Sequence, residues 1–67
     1  MNQPVLTPQE SEALRHVAAG LTNVEMGVKL KISRETVKSN LKRIFRKIGV
    51  SNRTQAAVYA MRNGVLE

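Results

Sequence analysis

The chain has no cysteine and no tryptophan, and a single histidine, phenylalanine and tyrosine among its 67 residues. Without cysteine there can be no disulfide, thiolate zinc site or thiol nucleophile. With His16 the sole histidine, any metal site would rest on carboxylates, and the five acidic residues do not cluster as a general acid–base pair. The aromatics, Phe45 and Tyr59, both fall on apolar faces, so recognition of single strands by base stacking has little support. Gly20, Gly27, Gly49 and Gly64 are too dispersed to form a phosphate-cradling loop. The longest apolar stretches fall far short of the roughly 20 residues a membrane span needs. The polar N-terminus has no signal-peptide core. No catalytic centre, metal site or cofactor is expected, and the cytoplasm is the simplest location.

Acid is also scarce. Eleven Lys and Arg stand against five acidic residues, for a net charge of +6. Such a balance points to a polyanionic partner, usually nucleic acid and sometimes an anionic membrane. Ordinary solubility charge is the bland alternative, but the cations are not spread evenly. Nine of the eleven lie between Lys29 and Arg53, with only Glu35 among them. The charge therefore belongs to one surface.

Caps and periodicity predict four helices in an all-α domain. Residues 1–5 read as a tail or linker remnant and 6–67 as the domain. Thr7 can cap the first helix, with Pro8 at its first position and Glu10 closing a capping box. Ala13, Leu14, Val17 and Ala18 form its apolar stripe, and Gly20 supplies a left-handed stop. Thr22 and Glu25 repeat the box for a second helix to about Leu30, with Met26 and Leu30 inward. Gly27 within it costs about 1 kcal/mol relative to Ala; it is either a tolerated weak residue or a place where another backbone passes close. Ser33 caps the third and longest helix, and Gly49 ends it. Asn52, with Gln55 placed to close another box, opens a fourth helix that ends around Asn63–Gly64.

Only Lys31 and Ile32 separate the second helix from the cap of the third, which is the spacing of a helix-turn-helix with Ile32 and Val37 buried at the corner. In that motif the second helix of the pair enters the major groove. Val37, Leu41, Ile44 and Ile48 form one apolar face of the third helix, widened by Phe45. The opposite face carries Glu35, Ser39, Lys42 and Arg46, flanked by Lys38 and Arg43. Lys38, Ser39 and Lys42 are the candidate base contacts, because lysine can donate to guanine N7 and O6 and serine permits close approach. Arg43, Arg46 and Lys47 are candidate phosphate contacts. The starts of the second and third helices favour phosphate, so Thr22, Asn23, Ser33 and Thr36 join that set. For Thr22 and Ser33, capping alone is the competing role.

Other residues keep plain roles. Lys29 and Lys31 are read as solvated, Glu35 as offsetting the helix dipole or accepting from a cytosine, and His16 as a surface or packing residue. Arg53 is expected either to pair with Glu10 or Glu12, tying the fourth helix to the first, or to contact DNA. The fourth helix is apolar on more than one face. Val58, Tyr59 and Met61, with Arg62, are therefore the candidate contacts with a second copy, against the alternative of exposed small residues.

These segments, in order, resemble the LuxR-type (GerE-like) helix-turn-helix family over residues 6–65. The resemblance is carried by Leu6-Thr7-Pro8-Gln9-Glu10 with Glu12, Leu14 and Ala18-Ala19-Gly20. Leu21 through Gly27 and Ile32 through Lys38 continue it, and Lys47-Ile48-Gly49-Val50 with Arg53, Ala56 and Ala57 closes it. It implies a four-helix domain that reads DNA with its third helix, pairs through its fourth on double-stranded half-sites, and can contact RNA polymerase. It implies base contacts at Lys38, Ser39 and Lys42, and backbone contacts at Thr36, Arg46 and Lys47. Asn40 stands where many members carry histidine, and a phosphate contact is expected there. Gly27 replaces the usual alanine. Many members carry a receiver or ligand-binding domain upstream, so the chain reads as a stand-alone regulator or an excised output domain.

The leading expectation is thus a sequence-specific DNA-binding regulator. The alternative is a protein-interaction module that keeps the fold without DNA binding. A membrane-surface bundle ranks third, because the basic helix spends its apolar face on the core.

Overall fold

The computed structural model describes residues 6–64. The expected tail at residues 1–5 and the last residues, 65–67, lie outside it. The elements are α1 (Pro8–Ala18), α2 (Asn23–Leu30), α3 (Arg34–Ile48) and α4 (Arg53–Arg62), with no strand among the described residues. None of these helices is long and apolar enough to cross a membrane.

Each helix starts where its sequence offers a cap. Thr7 Oγ1 accepts from the Glu10 amide at 3.1 Å while Glu10 Oε1 accepts from the Thr7 amide at 3.0 Å. Thr22 and Glu25 form the same reciprocal pair at 3.1 and 2.8 Å. Each pair satisfies two amides that the first turn would otherwise leave open. Ser33 Oγ accepts from the Thr36 amide at 3.1 Å and lies 2.9 Å from the Thr36 hydroxyl. Asn52 caps α4 by accepting from the Gln55 amide at 2.8 Å. The expected box at α4 is displaced by one residue, because Gln55 Oε1 accepts from Ser51 instead of Asn52. Asn52 sits at φ −153°, against −67° and −78° for Thr7 and Thr22, and this more extended backbone turns its own amide away from Gln55.

The helix ends are as clear. Gly49 terminates α3 at φ 78°, its amide donating to the Phe45 carbonyl at 2.9 Å. The end of α2 is less expected. Lys31 adopts the left-handed conformation, φ 60° and ψ 43°, the only non-glycine residue with positive φ among the described residues. A side chain there costs about 1–2 kcal/mol, yet the turn needs it: Ile32 donates back to the Gly27 carbonyl at 2.9 Å. Gly27 answers the question its sequence raised. A Cβ at this position would stand 2.7 Å from the Ile32 carbonyl oxygen, so the turn backbone does pass close by.

One core holds the helices together. Leu14, Val17 and Ala13 of α1 meet Met26 of α2, Val37, Leu41, Ile44 and Ile48 of α3, and Ala56 and Ala60 of α4. Leu30, Ile32, Phe45 and Tyr59 pack on its margin. α1 lies mainly against α4 and α2 against α3. The small residues Ala56 and Ala60 let α4 approach closely, and both are fully buried. With four elements on a single core, α3 is fixed on one side only and its other side is free.

Candidate nucleic-acid interface

α3 has the sequence of a strongly two-faced helix, and the fold uses it that way. Its apolar residues recur every three or four positions and are buried. Glu35, Thr36, Lys38, Ser39, Lys42, Arg43, Arg46 and Lys47 are all exposed. The helix pitch places Ser39 and Arg46 at the outer crest, with Lys42 one step to one side and Arg43 to the other.

The two flanks of that crest differ in charge. On one, a groove is lined by Lys38, Ser39, Leu41, Lys42 and Phe45 of α3, Asn23 of α2 and Arg53 of α4. Among the described residues no carboxylate pairs with Lys38, Lys42 or Arg46. On the other flank, Asn40 and Arg43 share a pocket with Gln9 and Glu10 of α1 and its cap Thr7. Here Lys47 Nζ donates to Glu10 Oε1 at 2.9 Å, and Arg43 Nε lies 3.9 Å from Glu10 Oε2. Arg43 also donates to Asn40 Oδ1 at 3.3 Å, so the Asn40 carbonyl is already engaged. The bond from Lys47 and the Thr7 amide hold the Glu10 carboxyl below the ordinary glutamate range, with the charges of Lys47 and Arg43 adding to them; burial works against all of these and is outweighed.

Arg53 corrects one expectation. It ties α4 to the bundle as predicted, but not through an α1 carboxylate. Its guanidinium donates to the Leu21 carbonyl at 3.1 Å and to Asn23 Oδ1. Glu10 is taken by Lys47, and Glu12 lies on the α1 surface beside His16, 3.7 Å away, which leaves the open carbonyl of the α1–α2 turn as the available acceptor. Asn23 is thereby oriented with its oxygen toward Arg53 and its amide nitrogen left to donate elsewhere.

Thr22 and Ser33 both cap their own helices, so their hydroxyl oxygens have intramolecular work. Glu35 is exposed in the first turn of α3, with Arg34 at 3.7 Å. Lys29 and Lys31 are solvated, as expected. His16 is half-buried, and its Nε2 has no hydrogen-bond partner among the described residues. On α4, Met61 is 65% and Val58 42% exposed, and Arg62 stands in solvent, while Tyr59 leans on the core. Sequence reasoning missed the Glu10–Lys47 pair and the Arg53–Asn23 bond. The box at Glu10 was legible, but partners 37 and 30 residues apart leave no periodic signal.

A two-faced, basic α3 preceded by a short α2 and a tight turn is the arrangement of a helix-turn-helix. A family model for bacterial regulatory proteins of the luxR family matches residues 4–60, most of the chain. The chain belongs to the luxR family. Among its curated relatives, the transcriptional regulatory protein LiaR of Bacillus subtilis is 52% identical over 58 residues, covering 87% of this chain and 28% of LiaR. ComA of the same organism, also a transcriptional regulatory protein, is 41% identical over 64 residues, covering 96% of this chain and 30% of ComA. From Sinorhizobium fredii, the putative HTH-type transcriptional regulator y4qH is 39% identical over 64 residues, 96% of this chain and 20% of its own length. The chain therefore spans less than a third of the relatives it matches.

Proposed function

We propose that this luxR-family chain binds double-stranded DNA sequence-specifically and serves a transcription regulator, with α3 in the major groove. The observation that carries this reading is the outward face of α3. Every residue on it is polar or charged and exposed, and the face is opposed by a fully packed apolar stripe. Lys38, Ser39 and Lys42 read base edges, the lysines by donating to guanine N7 and O6. Arg46, at the crest one turn beyond Lys42, meets the phosphate backbone, as do Thr36, Asn40 and Arg43 on the α1 flank. The starts of α2 and α3, with Thr22, Asn23 and Ser33, present amides to phosphates on either side. Of these cations Lys47 is the one already bonded to a carboxylate.

Two copies act together. The exposed Val58 and Met61 on α4, with Tyr59 at their margin and Arg62 beside them, form the surface through which a second copy docks. Paired half-sites follow from a two-fold axis between the copies. The site of action is the cytoplasm, and contact with RNA polymerase is the further partnership this reading allows.

The test separates base readout from backbone attachment. Binders are first selected from a random duplex library at near-physiological salt, where enrichment of two related half-sites at fixed spacing is expected. Lys42→Ala then relaxes specificity and costs about 1–3 kcal/mol on the selected site. Arg46→Ala weakens all duplexes alike and lowers the salt slope by about one. If both variants bind like the parent, α3 is not the reading surface. If the parent binds no duplex, the fold serves a protein partner instead.

A further inference from the structure

The cations of α3 do not all stand free. Glu10 Oε1 accepts two bonds at once, from the Thr7 amide at 3.0 Å and from Lys47 Nζ at 2.9 Å. The first of these fixes the carboxylate in the α1 capping box, so it cannot follow Lys47 away from α1. The Glu10 side chain is 11% exposed, against 35% for Lys47 and 60% for Arg43. A fixed, desolvated carboxylate facing the last turn of α3 offers Lys47 the same chemistry as a DNA phosphate: anionic oxygens at hydrogen-bond distance. Arg43 is held more loosely, 3.9 Å from the second carboxylate oxygen, and keeps most of its surface in solvent. Lys38, Lys42 and Arg46 have no carboxylate among the described residues.

We propose that Glu10 is an internal substitute for a DNA phosphate that withholds Lys47 from the duplex. It thereby sets the sequence-independent part of the affinity below what the cations of α3 alone would give. This inference rests on the DNA-binding reading above. Lysine–phosphate contacts position a protein without reading bases, so withholding one weakens target and random DNA by the same factor. The α1 flank is in effect one cation poorer than the sequence suggests, and specificity is untouched.

Glu10→Gln tests this, because glutamine keeps the acceptor that serves the Thr7 amide while losing the charge that holds Lys47. Binding to a selected target duplex and to a random duplex is measured from 50 to 200 mM salt, with circular dichroism to verify the fold. The E10Q slope of log K against log salt is expected to steepen by about 0.9, the release from one extra phosphate contact. That is an additional loss of roughly three- to fourfold across the range. E10Q binds both duplexes more tightly at low salt, by equal factors. The gain disappears in the E10Q/K47Q double variant, and K47Q alone changes the slope by much less than 0.9. A folded E10Q with the parent's slope overturns the proposal, and so does a K47Q variant that loses a full phosphate's worth of slope. A measurement on the unaltered chain stands beside these: the Glu10 carboxyl carbon resonance is expected to stay in place when target duplex is added. A shift marking loss of the pair overturns the proposal. Failure of the parent to bind any duplex is a different result, and it removes the DNA-binding reading itself.

Discussion

Gly27→Ala provides a sharp check on the turn between α2 and α3, because local and tertiary physics disagree about its sign. By propensity alone, alanine in place of glycine inside a helix stabilises by about 1 kcal/mol. The structure sets against this a Cβ 2.7 Å from the Ile32 carbonyl oxygen. An ordinary contact begins near 3.4 Å, so the turn would have to recede by about 0.7 Å. The opposing atom is backbone, held by the bonds from Ile32 to Gly27 and from Lys31 to Val28, at 2.9 and 3.4 Å, and it cannot rotate aside as a side chain could. Overpacking of this kind typically costs 1–3 kcal/mol, which leaves a net loss of about 1 kcal/mol. For a domain of this size that lowers Tm by about 4–8 °C. The control is the next residue. Val28 is 74% exposed, so Val28→Ala gains helix propensity with nothing in its way and stabilises by about 0.5 kcal/mol. Thermal unfolding followed by circular dichroism is expected to shift in opposite directions for the two variants. If G27A raises Tm as V28A does, the Ile32 carbonyl yields to the added methyl and the turn is not as tight as its geometry says.

Other expectations can be checked by the same kind of melt. Lys31→Gly removes a left-handed side chain worth about 1–2 kcal/mol, partly offset by about 0.4–1 kcal/mol of extra chain entropy in the unfolded state, so a small gain in Tm is expected. Arg53→Ala breaks the bonds to Leu21 and Asn23; stability should fall by about 1.5–3 kcal/mol, as for a hydrogen-bonded charge, and duplex affinity should fall with it. The depressed pKa of Glu10 gives a sign in acid. Its contribution is fully present above the ordinary glutamate value of about 4.3 and is lost as pH falls through the lower folded value. The stability gap between parent and E10Q should therefore be constant near neutrality and close only below about pH 4.3; a gap that closes at higher pH would contradict the pairing.

Much of the fold could be read from residues close together in the chain. Thr7–Glu10 and Thr22–Glu25 are i,i+3 signals, and each marks a helix start within one turn. The stripe Val37, Leu41, Ile44, Ile48 is a periodic signal, and all four residues are buried. The outer face of α3 followed from the same period, because whatever the core does not take is left to solvent. What stayed hidden depends on how α1 and α4 cross the pair α2–α3. Nothing near Glu10 announces that Lys47 will lie beside it, and nothing near Arg53 announces the Leu21 carbonyl. The displaced cap at Ser51 was hidden for another reason, since it turns on one backbone angle at Asn52 that residue type does not dictate. Lys31 in a left-handed turn was likewise invisible, because lysine has no preference for it.

The bond from Arg53 to Asn23 joins the first residue of α4 to the first residue of α2. If a second copy grips α4 and a phosphate grips the start of α2, this guanidinium makes the two handles parts of one rigid lever. The gap between a pair of recognition helices would then be set like a carpenter's gauge, by protein geometry and not by the give of the DNA. Insertion of a single base pair between half-sites would rotate one of them by about a tenth of a turn, and the locked lever could not follow it. Loosening that joint would trade fidelity of spacing for tolerance.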